Sequence, residues 1–190
     1  MIARVGILAI QGDVEAHRRM LEDLGVEVSE VLSESDLDAV DALVIPGGES
    51  TTIAKGIERL GLQKALQTRI AEGMPVLGTC AGAILLARTV ENHPVPVLGA
   101  MDVTAVRNAY GTQVDSFAAP VDDDVAAGLE DLRCVFIRAP RLTDPGPDVE
   151  VLARVDGRPV LMRERNVLAA TFHPELTPDS RVHALFLGAA

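Results

Sequence analysis

The sequence predicts an α/β protein: a three-layer α/β/α sandwich built on a mixed, mainly parallel sheet. Two observations lead there. Through the first half, apolar runs of strand length alternate with stretches of helical periodicity, the order that lays parallel strands between helices. The second half changes to strand-like segments joined by short turns, so antiparallel strands are expected to join or flank that sheet.

Taken in order, ARVGILAI is a strand ending at the turn-forming QGD. Val14 to Leu24 carries helical periodicity and is stopped by Gly25 in the position of a C′ glycine. VEVSEVL gives a second strand and ALVI a third, which ends in PGGEST. A single helical stretch is expected over about Thr51 to Glu72, then a fourth strand, PVLG, enters a helix from Ala81. MDVTAVR, TQVDSF, CVFIR, VEVLARV and RPVLMR all read as strands, with Asp156-Gly157 as a hairpin turn. NVLAATF is the last strand and Arg181 to Leu187 a short closing helix. No repeat, low-complexity tract or linker interrupts this order, and one domain over 1–190 is expected for a chain of 190 residues that is 48% hydrophobic.

Charge narrows the partners. A formal net charge of −11 repels nucleic-acid backbones and anionic membranes, so small molecules or proteins are the expected partners. Lysine occurs only at Lys55 and Lys64, and the acidic run Asp122, Asp123, Asp124 reads as a solvated loop. The first apolar run is too short and too soon interrupted for a signal sequence, and two cysteines suit a reducing cytoplasm with free thiols. Cys134, inside RCVFI, reads as a buried core thiol.

Cys80 is different. Gly78-Thr79-Cys80-Ala81-Gly82 is G-x-C-x-G at a predicted strand end, the thiol counterpart of the nucleophile elbow, in which glycines let a strand turn sharply into a helix. A helix N-terminus favours the thiolate, which is the reactive form. The expected base is His173 in ATFHPELT, reaching the same sheet edge after NVLAATF, with Glu175 two residues on to orient it. For an oxyanion, the N–H of Ala81 is one donor, and Gly48 in the PGGES loop supplies a second. GGEST lacks the spacing and lysine of a phosphate-binding loop. Glu49, Arg107 and Arg138 are candidates to bind the charged ends of an amino acid. His17, His93 and His183 show no metal-ligand spacing and read as structural or surface residues; no metal and no cofactor is expected.

Elbow cysteine, PGG loop and C-terminal His-x-Glu, in that order, resemble the class I (triad) glutamine amidotransferase family. AIQGDVEAH, IPGGESTT, GTCAGAILLA, MDVTAVRNAYG, FIRAP and FHPELTPDSRVHALF narrow the resemblance to the glutaminase subunits of pyridoxal 5′-phosphate synthase, over nearly the whole chain. The resemblance implies a Cys80, His173, Glu175 triad that hydrolyses L-glutamine to glutamate and ammonia through a glutamyl thioester. It further implies glutamine contacts from Gly48, Glu49, Ser50, Arg107, Ile137 and Arg138. It also implies a hetero-oligomeric partner, a (β/α)8 barrel synthase subunit that takes the ammonia and activates the glutaminase on docking. Gln11, ending the first strand beside the sheet edge that carries Cys80, is the candidate gating and interface residue. Thr112, Ala118 and Arg141 depart from the pattern, away from the triad. Two rivals stand beside this reading. Another triad glutaminase subunit, such as that of imidazole glycerol phosphate synthase, would share elbow and His-x-Glu, but GGEST, RNAYG and FIRAP argue against it. A redox-sensing or chaperone-like protein would share the elbow cysteine without the base and its orienter.

Overall fold

The computed structural model describes residues 2–107 and 116–188. Its main sheet has seven strands in the order β10-β11-β12-β4-β3-β1-β2. Five of them run parallel: β1 (Arg4–Leu8), β2 (Glu27–Val31), β3 (Ala42–Ile45), β4 (Val76–Thr79) and β12 (Val167–Ala170). β10 (Glu150–Val155) and β11 (Arg158–Glu164) add antiparallel at the β12 edge, joined through Asp156 and Gly157, both at positive φ as their hairpin turn requires.

Side-chain alternation explains the layering. In β3, Leu43 and Ile45 enter one apolar cluster, while Ala42 and Val44 enter another; in β4, Val76 and Leu77 divide in the same way. One cluster is completed by α2 (Glu34–Asp38), α3 (Ser50–Arg59), α4 (Gln63–Ala71) and α5 (Ala81–Leu86). The other takes Leu21 of α1 (Val14–Asp23) and Val182 and Phe186 of α6 (Arg181–Leu187). A sheet with both faces apolar therefore lies between two helical layers, as its sequence pattern required.

One expectation is corrected, and two strand placements are settled. The stretch from Thr51 to Glu72 is two helices, because Gly61 takes φ +69° after Leu60 and ends α3 before α4 begins. MDVTAVR flanks the main sheet: β6 (Met101–Val106) lies in a three-stranded sheet between β5 (Ala87–Glu91) and β9 (Arg141–Thr143). CVFIR forms β8 (Arg133–Phe136), which among the described residues pairs with β7 (Phe117–Pro120) alone and also flanks the main sheet. Most of TQVDSF, including Thr112, lies outside the described residues. Ala118 is an exposed residue of β7, and Arg141 opens β9 opposite Val106.

Candidate active site

The carboxyl ends of β1, β3, β4 and β12 meet at one edge of the sheet, where the chain first folded outward to β2 and then back to β3 and β4. Such a switch point opens a crevice between loops. Here it is a cavity of about 350 Å³ lined by Gln11, Gly48, Glu49, Ser50, Cys80, Ala81, Arg107, Ile137, Arg138 and His173, among others. Every residue singled out from the sequence for the site except Glu175 lines it. Glu175 stands behind His173.

β4 delivers Cys80, whose amide donates to the Ala170 carbonyl of β12 at 2.8 Å. The residue has φ +47° and ψ −100°, a strained conformation that lets the strand break directly into α5. Its neighbours explain why the turn fits: a Cβ on Gly82 would overlap the Ile45 carbonyl oxygen, and one on Gly78 would lie 2.5 Å from Leu86 Cδ1. Helix and strands thus approach more closely than any side chain allows. The Cys80 Sγ lies 3.9 Å from the Ile137 carbonyl oxygen.

β12 delivers His173, whose amide donates to Val135 of β8 at 2.8 Å. A short 3₁₀ turn, Pro174–Leu176, folds Glu175 back so that its Oε1 lies 2.7 Å from His173 Nδ1. Burial opposes charge on this imidazole, but hydrogen bonds to Cys80 and to Glu175 outweigh it and push its pKa up to about 10. His173 thus stands between the Cys80 sulfur and a buried carboxylate, and both favour its protonated form.

β3 ends in the PGG loop. The Gly47 N–H donates to Thr79 Oγ1 at 3.0 Å, so that donor is occupied. No acceptor among the described residues receives the Gly48 N–H. Gly48 has φ +154°, and a Cβ there would lie 2.6 Å from Gln11 Oε1. Gln11 Oε1 accepts the Glu49 N–H at 2.7 Å, placing β1's end directly on this loop. Ala81, the first residue of α5, offers an N–H with no intrahelical acceptor.

Glu49 is busier than the sequence suggested. It is the N-cap of α3, accepting the Thr51 and Thr52 amides at 3.1 and 2.8 Å. Partial burial opposes ionisation, yet these amides hold its carboxyl below the ordinary value. Arg107 reaches Glu49 Oε1 at 3.3 Å and donates to the His93 carbonyl at 2.6 Å. Arg138, at φ +45°, lines the cavity. His93 is exposed, as read from the sequence.

His17 and His183 are fully buried and belong to the site's surroundings, which the sequence did not show. His17 Nε2 lies 3.2 Å from Thr79 Oγ1 and 3.4 Å from Glu175 Oε2, and its Nδ1 is 2.9 Å from His183 Nε2. Burial, then His183 and His173, hold the His17 pKa well below its usual value; burial lowers that of His183 to about 4. The available signal was positional: His17 shares the buried face of α1 with Leu21, and His183 that of α6 with Val182 and Phe186. Asp13, His173 and Glu175 bring one potential metal-ligand atom each within 4.8 Å of one another, but His173 Nδ1 and Glu175 Oε1 are already bonded together. Cys134 is a core thiol, which burial and then Asp179 push up to about 12.

A family model described as the SNO glutamine amidotransferase family matches residues 7–190. The chain belongs to this family. Among relatives, the "Pyridoxal 5'-phosphate synthase subunit PdxT" of Thermosipho africanus is 50% identical over 184 residues, covering 97% of each chain. The protein of the same name from Fervidobacterium nodosum is 47% identical over 183 residues, covering 96% of this chain and 95% of its own. A solved structure described as a glutamine amidotransferase superposes with a TM-score of 0.91 at 45% identity, with 97% of each chain covered. A solved structure from Thermoplasma acidophilum, described as a "putative gmp synthase subunit a protein", shares the fold at 20% identity and a TM-score of 0.69, covering 100% of this chain and 94% of its own. The mainly parallel α/β architecture is therefore that of the glutamine amidotransferases. Among the described residues no helix is long and apolar enough to cross a membrane.

Proposed function

We propose that this chain, acting as one domain in the cytoplasm, is the glutaminase subunit of a pyridoxal 5′-phosphate synthase. It hydrolyses L-glutamine and hands the ammonia to a barrel-shaped synthase subunit for vitamin B6 biosynthesis. The observation that carries the chemistry is Cys80, held in a strained elbow beside an imidazole that Glu175 holds at 2.7 Å, inside a cavity of about 350 Å³. The relatives named as synthase subunits support the partner.

In this reading the thiol proton of Cys80 passes to His173, the sulfur attacks the carboxamide carbon of glutamine, and the carbonyl oxygen becomes an oxyanion. The N–H groups of Gly48 and Ala81 receive it; Gly47 is excluded because its N–H already serves Thr79. His173 gives its proton to the leaving nitrogen, ammonia departs and a glutamyl thioester remains. The neutral imidazole then takes a proton from water, which attacks the thioester and releases glutamate. Glu175 keeps the ring in the tautomer and orientation both steps need. Arg107, Arg138, Glu49, Ser50 and the Ile137 segment bind the charged end of the substrate. Gln11, bonded to the loop that carries Gly48, couples partner docking to that donor.

The test is glutamate release from glutamine by the chain alone and with the barrel subunit. Turnover that rises on addition of the partner is expected. Absence of glutamate release in both conditions contradicts the reading.

A further inference from the structure

Behind the site, four groups outside the proposed triad form one continuous buried set: His183, His17, Thr79 and the Gly47 amide. Resting on the glutaminase reading, we propose that His17 is a positioning residue whose Nε2–H ties the Glu175 carboxylate to Thr79, the anchor of the oxyanion loop. One donor would then hold both halves of the site in register.

The tautomer follows from the two unpartnered atoms nearby. Among the described residues, buried Glu175 Oε2 and buried His183 Nδ1 have no hydrogen-bond partner. If His17 carried its proton on Nδ1, its bare Nε2 would face Glu175 Oε2 at 3.4 Å, lone pair against carboxylate. His183 Nε2 would then be the acceptor across the 2.9 Å contact, so its own proton would sit on Nδ1 as a buried donor with nothing to donate to. With the proton on His17 Nε2, both problems ease. The N–H donates to Thr79 Oγ1 at 3.2 Å and stands beside Glu175 Oε2, 3.4 Å from the same nitrogen, His183 Nε2–H donates to His17 Nδ1, and His183 Nδ1 is only an unshared lone pair. Burial and the neighbouring imidazoles keep His17 neutral, which preserves this single donor.

The consequence is mechanical. Thr79 Oγ1 accepts the Gly47 N–H at 3.0 Å, and Gly47 lies against the His173 ring. Glu175 fixes that ring through Nδ1. Loss of the His17 donor would release the carboxylate and the loop's anchor together, at no contact with glutamine, so turnover should fall while substrate binding holds.

Two substitutions separate this role from mere filling of space. His17→Gln keeps an N–H where Nε2 stood and gives up the bond to His183, whereas His17→Asn keeps a group at Nδ1 and loses the donor. With the barrel subunit present, His17→Asn is expected to lose at least about tenfold in kcat with KM within about twofold, and His17→Gln to stay within about threefold of wild type. Equal loss in both variants, or loss in neither, overturns the proposal. Nitrogen-15 NMR of the wild-type imidazoles decides it without any variant and irrespective of folding defects. His17 is expected neutral with the proton on Nε2 at pH 7, and a proton on Nδ1 or a doubly protonated ring overturns the proposal. A wild type that releases no glutamate but shows this tautomer would instead defeat the glutaminase reading, so the two failures are distinct.

Discussion

Gly47→Ala should disable the site through the His173 ring. Gly47 is not among the glycines at positive φ, so alanine adds no backbone strain and the effect is steric. The new methyl would lie 2.5 Å from His173 Cε1 and 3.1 Å from Nδ1. Carbon atoms rest at about 3.5 to 4.0 Å, so ring and loop must separate by about 1 Å. The ring cannot yield toward Glu175 without compressing a 2.7 Å hydrogen bond, nor away from it without breaking that bond. A misplacement of about 1 Å in a reacting group costs on the order of a hundredfold in rate, or about 2.7 kcal/mol of barrier. The overpacked site should also lose about 1 to 3 kcal/mol of stability. The assay is steady-state glutamate release with the barrel subunit, beside thermal unfolding of the variant. A folded Gly47→Ala protein with kcat within about threefold of wild type would refute the proposed packing of loop on imidazole.

Arg107→Ala and Arg138→Ala should raise KM for glutamine with kcat nearly intact, because guanidinium contacts to a distant carboxylate act on ground and transition states alike; unchanged KM in both variants removes them from the substrate site. Gln11→Ala frees the Glu49 amide it now holds at 2.7 Å and unsettles the Gly48 donor, so partner-stimulated kcat should fall at least about tenfold, and full stimulation would exclude Gln11 from gating. Stability should fall on both sides of neutrality. His173, raised to about 10, favours the folded state while protonated, so its contribution is complete below pH 6.5 and lost as pH rises through about 10. His17 and His183 are lowered, so theirs is complete above pH 6.5 and lost as pH falls below it, for His183 through about 4. Each contributes a slope of about 1 kcal/mol per pH unit in its window. Denaturant unfolding measured across pH checks this, and a flat profile from pH 4 to 6.5 would contradict the neutral buried histidines.

Why so much of the site could be read from the chain is clear from its construction. Cys80, the PGG loop and His173 each follow directly on a buried strand, so local sequence both marks the strand end and names the group delivered there. Glu175 was found because it is two residues from its partner. His17 and His183 were not, because their contact spans 166 residues and a histidine on a buried helix face carries no mark of what it meets. Elements failed for a related reason. β5 is largely exposed and β9 has three residues, so neither shows a strand's alternation, and α2 has five residues with one buried leucine. The break between α3 and α4 falls at a single glycine inside an otherwise continuous helical pattern, where a C′ glycine and a tolerated mid-helix glycine look alike.

The whole mechanism depends on the sulfur of Cys80 being the nucleophile. Glutamate release by Cys80→Ala and by wild type, each assayed with the barrel subunit under the same conditions, tests it most directly. Cys80→Ala should fold, bind the barrel and lose at least about a thousandfold in rate, since the covalent intermediate has no other atom on which to form. Glutamate release within a few-fold of wild type would contradict the thioester route and, with it, the role assigned to every residue around the cavity.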